Sequence, residues 1–153
     1  RAQAQAIQRA PSAIKPGPDG TKPFSYPRLV QPILDKHCVS CHDGKEPKRP
    51  VLTGAPEGWA SKSFNALIKR VAYSGWNNPN GNGEPLTEPL RFGARASPLA
   101  KMLEQGHGKV VLTHEEWERL NLWMDANGAF YGTFDAAEQK RQLAGEVIAE
   151  PKE

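Results

Sequence analysis

The stretch KHCVSCHDGK, residues 36–45, gathers both cysteines of the chain and two of its four histidines into ten positions. Its centre, Cys38-Val39-Ser40-Cys41-His42, places two thiols one helical turn apart and an imidazole directly after the second. That spacing suits covalent haem attachment. Each thiol can add to one of two neighbouring vinyl groups while the adjacent histidine turns under the ring to bind iron. Two other chemistries use the same residue types. A dithiol redox pair needs no following histidine and normally sits within a βαβ pattern, which this chain lacks. A zinc site needs four ligands and, with no second cysteine pair, has to recruit two of His37, His42, His107 and His114. The motif therefore points to one covalently attached haem c, anchored by Cys38 and Cys41 and ligated by His42.

Composition agrees with a body built around a cofactor. Of 153 residues, 38% are hydrophobic, and fourteen glycines and fourteen prolines point to long loops and an underfilled core. A haem supplies the missing apolar area. The net charge of +3 is spread among acidic residues, without a basic stripe interleaved with aromatics, so nucleic-acid binding has no support. The local excess at Lys45, Lys48 and Arg49 reads as a solvated loop ahead of a docking patch for an acidic partner. No run reaches the roughly eighteen apolar residues of a membrane span. The start, RAQAQAIQRA, has neither an initiator Met nor an apolar signal stretch, as expected of a processed or excised piece. Haem is attached outside the bacterial cytoplasmic membrane, which makes a periplasmic or otherwise exported location the expectation.

The predicted organisation is all-α, a cytochrome c-like set of short helices with long loops. Residues 1–23, rich in Ala, Gln, Pro and Gly, read as an extended tether or strap. The haem domain is expected over 24–134. Apolar residues recur at helical spacing from Tyr26 to His37 with Ser25 as a cap, and Pro32 splits them into two short turns. A helix is predicted from Ser61 or Ser63 to Gly75, carrying Phe64, Leu67, Ile68, Val71 and Ala72 on one stripe. Residues 76–96 show no period; Asn77, Asn80, Asn82 and Glu84 fit turn chemistry better than any calcium loop. Further helices follow Ser97-Pro98, stopping at Gly106, and Thr113, where Thr113 and Glu116 form a capping box and Gly128 terminates. Trp117, Trp123, Phe130 and Tyr131 are expected as walls around the ring. Residues 135–153 form a docked or frayed tail, with a helix able to begin at Asp135.

The sixth ligand decides what the iron can do. His37 lies beside the attachment turn and reaches the opposite face with difficulty. Met124 belongs to a buried stripe, where Met is usually packing, and His114 sits on an exposed first turn. Met102 and His107 remain. Met102 stands some sixty residues after the attachment site, where many small cytochromes keep a thioether ligand, and His107 lies in a loop after Gly106 that can aim it freely.

The segments FSYPRLVQPILDKHCVSCHDG, LTG and SPLAKMLEQGHGKVVLTHEEWERLNLWMDANGAFYGTF resemble the C-terminal cytochrome c domain of large exported planctomycete-type proteins, including relatives of the hydrazine synthase alpha subunit. The likeness spans about residues 24–134. It implies an all-α cytochrome c fold with haem held by two histidines. Matching Leu103, Gly106, His107, Val110 and Leu112 selects His107 over Met102. Many relatives carry a second histidine at the position of Gly108. The propeller and catalytic haem domain of those proteins have no counterpart here, so their chemistry does not carry over. The resulting expectation is a monohaem domain for one-electron transfer, six-coordinate and low-spin through His42 and His107, whose saturated iron leaves no open catalytic position. The expected partner is a redox protein or other domains of a larger exported protein or oxidoreductase. Competing readings are a haem enzyme or gas-binding module with an open or weakly held distal position, a His/Met carrier using Met102, and a relay that mainly docks a larger assembly.

Overall fold

The structure, a computed structural model, describes residues 8–13, 17, 23–75, 88–131, 133, 135–146 and 148. The described residues are mostly helical: α1 (Tyr26–Leu29), α2 (Gln31–His37), α3 (Lys62–Leu67), α4 (Pro98–Glu104), α5 (His114–Asp125) and α6 (Ala136–Leu143), with 3₁₀ turns at Ile68–Arg70 and Ala94–Ala96. They also contain a minimal antiparallel hairpin, β1 (Pro56–Glu57) with β2 (Ala60–Ser61), where only helices and loops were expected. Two-residue strands carry no alternating pattern long enough to read from sequence. No helix among the described residues is long and apolar enough to cross a membrane. Of the predicted tether, residues 8–13 and 17 are exposed.

α1 and α2 divide at Val30, and Pro32 occupies the opening turn of α2, where its missing N–H leaves no helical bond unmade. Ser25 precedes α1 but does not cap it with its side chain; that hydroxyl is buried without a partner. Its backbone instead bridges Tyr131, and Tyr26 N–H donates to the Phe130 carbonyl at 3.1 Å, which ties the start of the folded body to the segment after α5. α5 carries the full capping box: Thr113 Oγ1 accepts from Glu116 N–H while Glu116 Oε2 accepts from Thr113 N–H at 2.8 Å. Asp135 caps α6 by accepting from Glu138 N–H at 2.8 Å; beyond it Gln142 and Ile148 are buried, so this stretch packs back on the body.

The helix predicted up to Gly75 is shorter. α3 ends at Leu67, one 3₁₀ turn follows, and Val71 is extended at φ −104°, ψ 130°. A competing set of long-range bonds draws the chain away: Ala72 N–H donates to Ser97 Oγ at 2.9 Å, and the Ala72 carbonyl accepts from Gly93 N–H at 2.8 Å. Ser97, predicted as a helix cap, spends its hydroxyl here and on the Gly93 carbonyl at 2.8 Å. Gly93 lies at φ +83°, and a Cβ there would stand 2.5 Å from Asp125 Oδ1, the atom that accepts from Ala94 N–H. Only glycine lets α5 dock this closely. The asparagines and glutamate weighed for calcium, Asn77, Asn80, Asn82 and Glu84, lie outside the described residues.

Candidate functional site

The core has two faces. On one, aromatic rings pack edge to face: Tyr26 lies 5.3 Å from Phe64, 5.1 Å from Trp123 and 5.4 Å from Phe130. On the other, aliphatic side chains enclose a cavity of about 550 Å³, walled by Ile33 and Leu34 of α2, Leu67 of α3, Leu99 and Met102 of α4 and Leu120 of α5. That volume lies in the range of small-molecule and cofactor sites. Trp123, Phe130 and Tyr131, expected around the ring, belong instead to the aromatic face, where Trp123 Nε1–H donates to the Ala129 carbonyl at 3.1 Å and Tyr131 OH to the Trp59 carbonyl at 2.7 Å. Trp117 lines a separate surface groove with Val110, Val111 and Leu112. Aromatic residues at helical spacing do not reveal which side of a helix meets the cofactor.

All four residues of the predicted site meet at the aliphatic cavity: Cys38, Cys41, His42 and His107 line it together. α2 delivers the attachment turn. Cys38 N–H donates to the Leu34 carbonyl at 2.8 Å, and the Cys38 carbonyl accepts from both Cys41 N–H and His42 N–H at 3.0 Å, so the motif is a tight continuation of the helix end. Both thiols are free; Cys38 is half-buried and Cys41 exposed. Burial, with the neighbouring Cys41 adding to it, pushes the Cys38 thiol above its ordinary value. A redox-active dithiol needs the opposite shift, because the thiolate is its nucleophile.

His42 Nδ1–H donates to the Pro50 carbonyl at 3.0 Å. The acceptor has no proton of its own, so the ring proton in this bond sits on Nδ1, as in the neutral tautomer whose Nε2 can ligate a metal. Across the cavity His107 follows the end of α4, in a loop released by Gly106 at φ +94°. The ring centroids of His42 and His107 stand 6.0 Å apart with planes 30° from parallel. Two imidazoles on opposite sides of one metal ion, each bonded at about 2 Å, hold their centroids roughly 6 Å apart. Two imidazoles and two free thiols at one apolar cavity are a donor set that would fit a haem held by Cys38, Cys41, His42 and His107.

Met102 also lines the cavity, on α4. Met124 is fully buried in the core, and His114 is exposed beside Glu118 at 3.4 Å. His37 also borders the cavity, and its Nε2 donates to Glu116 Oε1 at 3.0 Å. Lys45 pairs with Asp43 at 2.7 Å and Arg49 donates to the Cys41 carbonyl at 3.3 Å, so two of the three cations after the motif are tied to it locally. Among the described residues no three His, Cys, Asp or Glu side chains converge on a point fit for a lone metal ion.

The loop that carries Pro50 entered the sequence reading only through its LTG segment, Leu52 to Gly54, with no role attached, and it is tied down by backbone bonds. Leu52 N–H donates to the His42 carbonyl at 2.9 Å, the Thr53 carbonyl accepts from Ser63 N–H at 3.2 Å, and the Ala55 carbonyl accepts from Lys62 N–H at 2.9 Å. Compared with known proteins, the chain matches no family model, no curated protein and no solved structure.

Proposed function

We propose that the chain is a monohaem c-type cytochrome domain that passes single electrons. On this reading Cys38 and Cys41 are the thioether anchors, His42 is the proximal ligand and His107 the distal one. The observation that carries it is the approach of the His42 and His107 rings, with centroids 6.0 Å apart, at an apolar cavity that both free thiols also line. The Nδ1–H bond from His42 to Pro50 supports the same role, since it presents Nε2 in the ligating tautomer. The resemblance of residues 24–134 to exported cytochrome c domains agrees with it and favours the cytochrome c-like, all-α class, a periplasmic or otherwise exported setting, and a redox protein or further domains of a larger exported protein as partner.

When bound, the haem supplies an iron that takes up and releases one electron. The chain's own residues do the rest. His42 and His107 would both hold the iron, which would favour electron transfer over substrate activation, and the leucine-rich walls would keep water from it.

The test is mass spectrometry and absorption spectroscopy of the protein matured in an exporting host. The expected product is the chain plus one haem linked through two thioethers, with a six-coordinate low-spin spectrum. His107→Ala should turn that spectrum high-spin while Met102→Leu leaves it unchanged. The reverse result moves the distal role to Met102, and a product with nothing added to either sulfur refutes the reading.

A further inference from the structure

The Pro50 loop sets how firmly His42 is held, and one buried side chain stands behind that loop. Gln31, on the first turn of α2 and only 7% exposed, donates from Nε2 to the Leu52 carbonyl at 3.1 Å and to Asp35 Oδ1 at 2.8 Å. Its Oε1 accepts from Ser63 Oγ at 2.6 Å, and Ser63 in turn accepts from the Tyr26 hydroxyl at 3.2 Å. Ser63 also accepts from Ser61 Oγ at 2.9 Å, and the direction onward is single: into Ser63 from Tyr26 and Ser61, from Ser63 to Gln31, and from Gln31 to the Leu52 carbonyl. Leu52 closes the ring by donating its own N–H to the His42 carbonyl at 2.9 Å, two residues after the Pro50 carbonyl that holds His42 Nδ1. The loop passes so near that a Cβ at Gly54 would stand 3.1 Å from Gln31 Cγ and 3.2 Å from its Cδ.

We infer that Gln31 is a positioning residue for the proximal ligand, acting on His42 through the Leu52 and Pro50 carbonyls. This rests on the haem reading above. A buried side chain that satisfies three groups at once resists displacement, since moving it strands polar atoms away from water. The Pro50 carbonyl is thereby kept at hydrogen-bonding distance from Nδ1–H, and a firm bond there makes the imidazole a stronger donor to ferric iron. Loosening it favours the ferrous state.

The experiment is redox titration of the haem-loaded protein with Gln31→Leu, Gly54→Ala and Tyr26→Phe, alongside thermal unfolding of each. Gln31→Leu removes the bond to Leu52; Gly54→Ala keeps every polar group but presses on the Gln31 side chain; Tyr26→Phe removes only the far end of the chain. Gln31→Leu and Gly54→Ala should move the ferrous-to-ferric ratio at fixed potential toward ferrous by up to about tenfold, a rise of about 59 mV. Tyr26→Phe should lower the melting temperature and leave the potential in place. A potential unchanged in Gly54→Ala and in any folded Gln31→Leu overturns the inference, and so does an equal shift in Tyr26→Phe, which would mark a general loss of stability. Failure of the underlying haem reading is seen separately, as an unmodified mass of the wild-type chain before any titration.

Discussion

Glu116, in the first turn of α5, accepts a 3.0 Å hydrogen bond from Nε2–H of His37, the last residue of α2. The same oxygen accepts from Lys36 Nζ at 2.8 Å, so one carboxylate clamps the helix that leads into the attachment turn to the helix that closes the fold. Its other oxygen completes the capping box with Thr113.

Lys36 first, then the Thr113 N–H and His37, hold the Glu116 carboxyl down at about 2, against an ordinary 4.5. A folded-state value below the unfolded one means the contribution is fully present above about pH 4.5 and is lost as the pH falls toward 2. Glu116→Ala should lower stability at pH 7 by about 1 kcal/mol. Chemical denaturation across pH 5 to 2 should show a shallower acid decline in the variant than in the wild type.

If the proposed haem fills the cavity, the chain without it should be less well packed. A void of about 550 Å³ between α2, α4 and α5 leaves aliphatic walls without contacts on one side. On the proposed haem reading, replacing Cys38 and Cys41 by alanine would prevent covalent attachment and should leave helix content by far-ultraviolet dichroism while near-ultraviolet dichroism and a cooperative melt are lost. A sharp, wild-type-like transition would show that the core closes without the haem.

Phe130 lies in the aromatic cluster, 5.0 Å from Phe64 and 5.4 Å from Tyr26, and does not border the cavity. Phe130→Leu should therefore cost about 1 kcal/mol in urea unfolding, with the visible spectrum and potential unchanged. A spectral change would return this ring to the cofactor wall.

Ser97 is fully buried and its hydroxyl joins three segments, accepting from Ala72 N–H and donating to the Gly93 carbonyl. Ser97→Ala strands the Ala72 N–H, at a cost of roughly 1–3 kcal/mol, while the Gly93 carbonyl keeps the Ala96 and Ser97 N–H groups. Amide exchange should identify the site: Ala72 N–H should lose protection while the α5 amides change only with global stability.

Features governed by neighbours in sequence were legible. The Thr113–Glu116 box, the break that Pro32 forces between α1 and α2, and the cap at Asp135 each depend on groups within four residues of one another. The helix expected up to Gly75 failed because its Ala72 N–H has a better partner twenty-five residues on, at Ser97, which no local pattern announces. The ring walls failed for a related reason. Trp123 and Phe130 are apolar at the right spacing for a core, but spacing does not say whether the face they fill meets other aromatics or a cofactor.

The attachment turn is a matter of sequence alone, because two thiols and an imidazole within five positions are brought together by any helical turn. The pairing of His42 with His107 is not. Sixty-five positions separate them, and the chain offered Met102 as well. Only the end of α4, the loop beyond Gly106 and the anchored Pro50 segment turn one ring toward the other across 6.0 Å. Covalent spacing reaches a few residues, and everything farther is decided by which surfaces pack.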